Sequence, residues 1–209
     1  MTAYAPQERA GLCRLLTEVG PDAPTLCGDW TTADLAAHLI ARERRPDSGP
    51  GLLLPTFRGW TESVRRGIKA RYRYDELVAM VANPPWWSPI SNPVVDESAN
   101  LVEFFVHHED VRRARSDWSP RPLPAGMQRK LWRRLGGLRV LMRRAPATIT
   151  LAAPGYGEYR AGTGGAPVRI TGTPAELVLF CFGRQRVAAV EADGPDHTVD
   201  ALRTAQFGI

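Results

Sequence analysis

Asp96, Asn100, Glu103, His107 and Asp110 recur at steps of four, three, four and three residues. A helix through them would therefore line them up along one face. Leu101, Val102, Phe104, Phe105, Val106 and Val111 cover most of the remaining circumference. Such a stripe has two readings: it is the solvent face of a core helix, the usual role of a polar stripe, or it turns inward and lines a polar cavity. Glu103 and His107, at i and i+4, would present a carboxylate oxygen and an imidazole nitrogen to one point, and both are ordinary zinc ligands. An isolated E-x-x-x-H is common by chance, so a metal needs a third donor from another element.

His38 is the sole histidine of the N-terminal half and shares a predicted helix face with Leu35 and Leu39. A lone histidine on an apolar face is more often a hydrogen-bonded core residue than a ligand. Taken with Glu103 and His107, however, it completes three protein donors with a coordination position left over, the arrangement of a catalytic rather than a structural metal site. Asp110, one turn beyond His107, is placed to orient that histidine from behind. His108 points about 100° away on the helix and is the poorer candidate. His197, beside a predicted turn, reads as a surface residue.

These residues need helices to carry them. Apolar spacing predicts helices over 7–19 and 32–45, the second opened by Thr31 with Asp34 three residues later, a capping-box pattern, and stopped by Pro46. Gly and Pro mark 46–55 as a loop, followed by helices near 56–70 and 75–82. Asn83 to Pro93 holds four prolines and two tryptophans and reads as a loop. A long helix spans Val94 to Arg115, and Met127, Leu131, Leu135, Leu138 and Met142 give another strong helical period. About four main helices would bury these stripes as a bundle.

After Pro146 the pattern shifts to short strands at 147–152 and 167–171, with a turn at Gly155-Tyr156-Gly157. Thr173-Pro174-Ala175-Glu176 supplies an N-cap, a proline at the first helical position and a glutamate at the third, so a buried helix runs to Phe182 and stops at Gly183. A strand at 187–192 and a helix at 199–206 complete the chain. The expected fold is α+β: a helical bundle over 1–146 and a small α/β domain over 147–209.

Of the 209 residues, 44% are hydrophobic and 23% charged, as in a folded globular protein. No apolar run reaches the ~20 residues that would span a bilayer, and Met1 to Arg9 lacks a secretory signal pattern, so a cytoplasmic location and no membrane partner are expected. Cys13, Cys27 and Cys181 are odd in number and lack C-x-x-C spacing, so each reads as a reduced thiol, ordinarily a buried one. Arg129, Lys130, Arg133, Arg134, Arg139, Arg143 and Arg144 occur with no acid between them, and they more than account for the net charge of +5. The basic character is thus local, and no nucleic acid is expected as a partner.

Three segments resemble one known family. Leu26-Cys-Gly-Asp-Trp30-Thr-Thr-Ala-Asp34-Leu-Ala-Ala-His38 is similar to the second-helix signature of the DinB-like, mycothiol-dependent maleylpyruvate isomerase group. Glu103-Phe-Phe-Val-His107-His-Glu-Asp110 is similar to its E-x-x-x-H-x-x-D. Gly172-Thr-Pro-Ala-Glu176-Leu-Val-Leu-Phe-Cys-Phe-Gly183-Arg184 is similar to its appended sterol-carrier-like domain. The run Arg42-Glu-Arg-Arg-Pro46 and the loop Pro84-Pro-Trp-Trp-Ser-Pro89 resemble an actinobacterial metal-binding branch of that group.

The resemblance implies a DinB-like four-helix bundle, a divalent metal of zinc type on His38, Glu103 and His107, and Asp110 behind them. It implies a low-molecular-weight thiol such as mycothiol as cosubstrate, and a catalytic arginine at Arg184. The expected activity is a metal- and thiol-dependent transferase or isomerase acting on a small electrophilic substrate. The alternative is a non-enzymatic metal-binding or regulatory module that docks an acidic partner through its basic helix.

Overall fold

The computed structural model describes residues 3–45, 47, 58–88, 90–91, 95–143, 145–162 and 164–205. The chain divides into two compact units, Met1–Ser119 and Pro120–Ile209. The expected loop over 46–55 lies outside the described residues apart from Asp47, as do Pro89, Pro93 and Val94.

The first unit contains helices α1 (Ala5–Val19), α2 (Thr32–Arg44), α3 (Arg58–Arg71), α4 (Tyr74–Ala82) and α5 (Asp96–Arg112). The α1 helix packs on α4 and α5, and α2 packs on α3 and α4. Leu12 and Leu16 of α1, Leu35 and Leu39 of α2, Leu77 of α4 and Phe104 of α5 meet in the core. Two polar features tie the helices together. Glu97 accepts the Tyr4 and Ala5 backbone N–H groups at 2.8 Å each, placing a carboxylate at the positive end of α1. Arg9 and Glu43 form a buried pair at 2.5 Å, and the Arg9 guanidinium lies 4.1 Å above the Phe104 ring.

The N-terminus of α2 is closed as its sequence predicts. The Asp34 carboxylate accepts the Thr31 backbone N–H at 3.1 Å and its hydroxyl at 2.8 Å. Arg65 and Lys69 of α3 also reach this carboxylate, and hold its pKa well below the ordinary value despite the opposing effect of burial.

The second unit contains α6 (Ala125–Leu138), a 3-10 turn (Arg139–Met142), β1 (Thr148–Ala153), β2 (Gly157–Ala161), β3 (Pro167–Thr171), α7 (Pro174–Cys181), β4 (Glu191–Asp193) and α8 (Asp196–Thr204). The sheet order is β2-β1-β3-β4, with β1 and β3 parallel and both edge pairs antiparallel. Ile149 and Leu151 pair with Val168 and Ile170, so alternate side chains of both central strands enter the core.

Two expectations need correction. The division falls after Ser119 rather than at residue 146, and helix 125–138 belongs with the C-terminal unit. Its apolar stripe packs on α7; Trp132 stacks on Tyr159 with ring centroids 4.4 Å apart, and Gln128 accepts the Ala175 N–H at 3.0 Å. The strand expected over 187–192 is reduced to 191–193. The Val187 and Ala188 N–H groups turn back onto the Arg184 carbonyl and Ala189 N–H is taken by the Glu176 carboxylate, so these donors are spent before the sheet is reached.

Arg129, Arg133, Arg134, Arg139 and Arg143 are exposed, as a solvated face requires. No helix among the described residues is long and apolar enough to cross a membrane.

Candidate metal centre

The polar stripe of α5 turns inward. Asn100 and Asp110 are fully buried, and the side chains of Glu103 and His107 are only 22% and 12% exposed. The common reading of such a stripe, a solvent face, is therefore overturned. The reason lies in the loop between α1 and α2. Leu26 N–H binds the Asp110 carbonyl at 3.1 Å, and a bridge between Pro24 and Thr31 folds the loop so that Cys27 and Trp30 stand over the stripe.

His38 of α2 meets Glu103 and His107 there. Glu103 Oε1 lies 3.4 Å from His38 Nε2 and 3.3 Å from His107 Nε2. These separations are long for charge-assisted hydrogen bonds, which run about 2.7–2.9 Å. They match the edges of a tetrahedron around one ion: metal–donor lengths of about 2.0–2.2 Å put neighbouring donors roughly 3.3–3.6 Å apart. The donor atoms of the three residues all lie within 4.8 Å of one another. By geometry and by chemistry the set fits a zinc-type ion.

A second cluster shares His107. Its Nδ1 lies 2.9 Å from Asp110 Oδ2, and Cys27 Sγ lies 3.1 Å from the same oxygen and 3.9 Å from that nitrogen. The two contacts to the carboxylate are shorter than the edges around an ion, above all where sulfur lengthens one bond to about 2.3 Å, and they have hydrogen-bond lengths. Asp110 thus accepts from both the imidazole and the thiol. That places a proton on Nδ1 and makes Nε2, on the Glu103 side, the nitrogen through which His107 would bind a metal.

Charge follows the same pattern. Burial lowers the pKa of His38, so that ring is held neutral and able to donate a lone pair. Burial acts to raise the Glu103 pKa, but the facing His107 and His38 rings and the charge of Arg42 outweigh it and hold the carboxyl well below its ordinary range. Burial acts to lower the His107 pKa, and Asp110, Cys27 and Glu103 overcome it and raise it well above the ordinary value.

Arg42, Trp30 and Cys27 belong to the site although the spacing argument passed over them. Arg42 Nε lies 3.4 Å from Glu103 Oε1 while its terminal nitrogens bind Asn100 and the Ala99 carbonyl. It stands four residues after His38 on one helix, a signal readable in the sequence. Trp30 packs its ring 5.1 Å from that of His38. Cys27 is only partly buried, unlike Cys13 and Cys181, whose thiols burial pushes up to about 11 and about 12. His108 goes elsewhere, as the helix phase implies, and meets Glu8 of α1 at 2.9 Å.

Arg184 lies in the second unit. Gly183 adopts φ 84°, its N–H returns to Phe180 and that of Arg184 to Leu179, so α7 ends in a Schellman motif that fixes the Arg184 backbone. Its guanidinium donates to the Phe182 carbonyl.

Fold and site together define a protein with a helical unit enclosing a His, Glu, His donor set, followed by a small α/β unit. Residues 5–48 match the family model described as the mycothiol maleylpyruvate isomerase N-terminal domain, a match consistent with the DinB-like, mycothiol isomerase group. The matched stretch holds α1, α2, Cys27, Trp30, His38 and Arg42. No curated protein and no solved structure matches the chain.

Proposed function

We propose that the protein is a metal- and thiol-dependent transferase or isomerase acting on a small electrophilic substrate, with a zinc-type ion held by His38, Glu103 and His107. The observation that carries this reading is the position of Glu103 Oε1, at tetrahedral-edge distance from an imidazole nitrogen of α2 and from another of α5. A divalent ion there would favour the thiolate form of a coordinating low-molecular-weight thiol such as mycothiol, and the thiolate is the nucleophile. The likeness of residues 5–48 to a mycothiol isomerase domain supports a thiol of that class.

The chain's own residues supply the rest. Asp110 orients His107, and Arg42 keeps Glu103 anionic and in place. Trp30 and Arg65, whose guanidinium lies 4.8 Å from the Trp30 ring, wall the His38 side. Arg184 is assigned the substrate carboxylate or developing enolate, through its planar fork of donors.

The deciding experiment screens thiol-dependent turnover against a panel of electrophilic acids, with metal-free and metal-reconstituted protein side by side. Turnover that needs both thiol and metal is expected. Full metal occupancy with no thiol chemistry across the panel would favour a non-enzymatic metal-binding module.

A further inference from the structure

His107 and Asp110 stand three residues apart on α5, yet the helix alone does not fix how the carboxylate meets the ring. Rotation of an aspartate carboxylate about its last side-chain bond is broad, so one donor leaves it a range of orientations. Here a second donor arrives from outside the helix. The Cys27 thiol donates to Asp110 Oδ2 at 3.1 Å, and His107 Nδ1 lies 2.9 Å from the same oxygen. That thiol stands 83 residues away in the chain, on the loop between α1 and α2. The loop is built to hold it: Thr25 Oγ1 accepts the Cys27 N–H at 3.2 Å and donates to the Trp30 carbonyl at 2.8 Å, while the Leu26 N–H binds the Asp110 carbonyl at 3.1 Å. Consecutive residues, Leu26 and Cys27, thus grip the backbone and the side chain of Asp110.

We propose that Cys27 is a positioning residue of the metal centre, whose thiol pins the Asp110 carboxylate so that His107 presents Nε2 to the ion at one fixed angle. The proposal rests on the reading of His38, Glu103 and His107 as the ligands, and gives Cys27 a role without making it one of them. A thiol suits that role because S–H is a weak donor. It orients the carboxylate and leaves most of the negative charge to the imidazole, on which the strength of His107 as a ligand depends. A ligand set is held to its working geometry only when the groups behind it are themselves fixed, and the loop between α1 and α2 supplies that support.

Zinc affinity of the full chain, measured by competition with a chromogenic chelator, tests this in four variants beside the wild type. Cys27→Ala should bind zinc about tenfold more weakly, the low end for a change behind a metal ligand, with circular dichroism showing that the helices are kept. Cys27→Ser retains a donor and should stay within about threefold of wild type. In an Asp110→Asn background, Cys27→Ala should cost almost nothing beyond Asp110→Asn alone, because the group it acts through is already altered. Cobalt(II) bound in place of zinc should show no sulfur-to-metal charge-transfer absorption. Unchanged zinc affinity in Cys27→Ala, equal losses in Cys27→Ala and Cys27→Ser, an undiminished loss in the Asp110→Asn background, or a sulfur-to-cobalt band would each overturn the proposal while leaving the metal centre standing. A wild-type chain that takes up no zinc would sink the metal reading, and this proposal with it.

Discussion

The Asp110 carboxylate, fully buried, stands 2.9 Å from Nδ1 of His107, the nitrogen on the far side of the ring from Glu103. A carboxylate behind a histidine fixes its tautomer and raises its basicity as a ligand. Asp110→Asn should lower zinc affinity by roughly 10–100-fold while the helices remain formed. Competition against a chelator of known affinity measures this, and unchanged affinity would remove Asp110 from the site.

His107 and His108 should separate cleanly. His107→Ala removes one of the three donors proposed for the ion and should abolish most zinc uptake, read by elemental analysis of purified protein. His108→Ala should leave zinc content near wild type and cost stability instead, roughly 1–3 kcal/mol, because it leaves the buried Glu8 carboxylate without its 2.9 Å partner. Equal zinc loss in both variants would contradict the helix phase.

Gly11 of α1 tests the same packing from the other side. A Cβ built at this position would lie 2.8 Å from Cε1 of the His108 ring, which is itself held by Glu8. Gly11→Ala should therefore be destabilising despite the better helix propensity of alanine, by about 1–3 kcal/mol in chemical denaturation. A gain in stability would mean that the His108 ring moves freely.

Asp34 gives a pH dependence. Its carboxyl pKa is lowered in the folded chain, burial opposing and Lys69, Thr31 and Arg65 prevailing, so its contribution is full above the ordinary carboxyl pKa. That contribution is lost as pH falls through the lowered folded value. Asp34→Asn should destabilise by roughly 1–3 kcal/mol at pH 7. The gap to wild type should shrink as pH falls below about 4, where the unfolded carboxyl protonates. Urea titrations across that range would refute the assignment if the gap stayed constant.

Arg184→Lys keeps the charge and loses the planar fork. Under the proposed function this variant should retain zinc and fold, and lose at least about tenfold in thiol-dependent kcat/KM. Undiminished turnover would leave catalysis to the first unit.

How much of this was legible in the sequence can be argued residue by residue. Periodicity alone placed α1, α2 and α5, the Thr31 and Asp34 pairing followed from a capping pattern, and the end of α7 at Gly183 followed from a residue that tolerates positive φ. These are local effects, settled within one or two helical turns. The i, i+4 spacing likewise put Glu103 and His107 on one face and sent His108 to another, because helix geometry leaves no choice in the matter.

Which way that face points is not local. Amphipathicity by itself favoured solvent for the stripe, and the inward answer depends on Leu26 binding the Asp110 carbonyl and on α2 bringing His38 to within 3.4 Å of Glu103 across 65 residues of chain. The place of Cys27 was open for the same reason, since its partners are 80 and 83 residues away. The allegiance of α6 was open too: an apolar stripe requires burial but does not name its partner, and only the meeting of Trp132 with Tyr159 and of Gln128 with Ala175 decided that this helix belongs with the sheet.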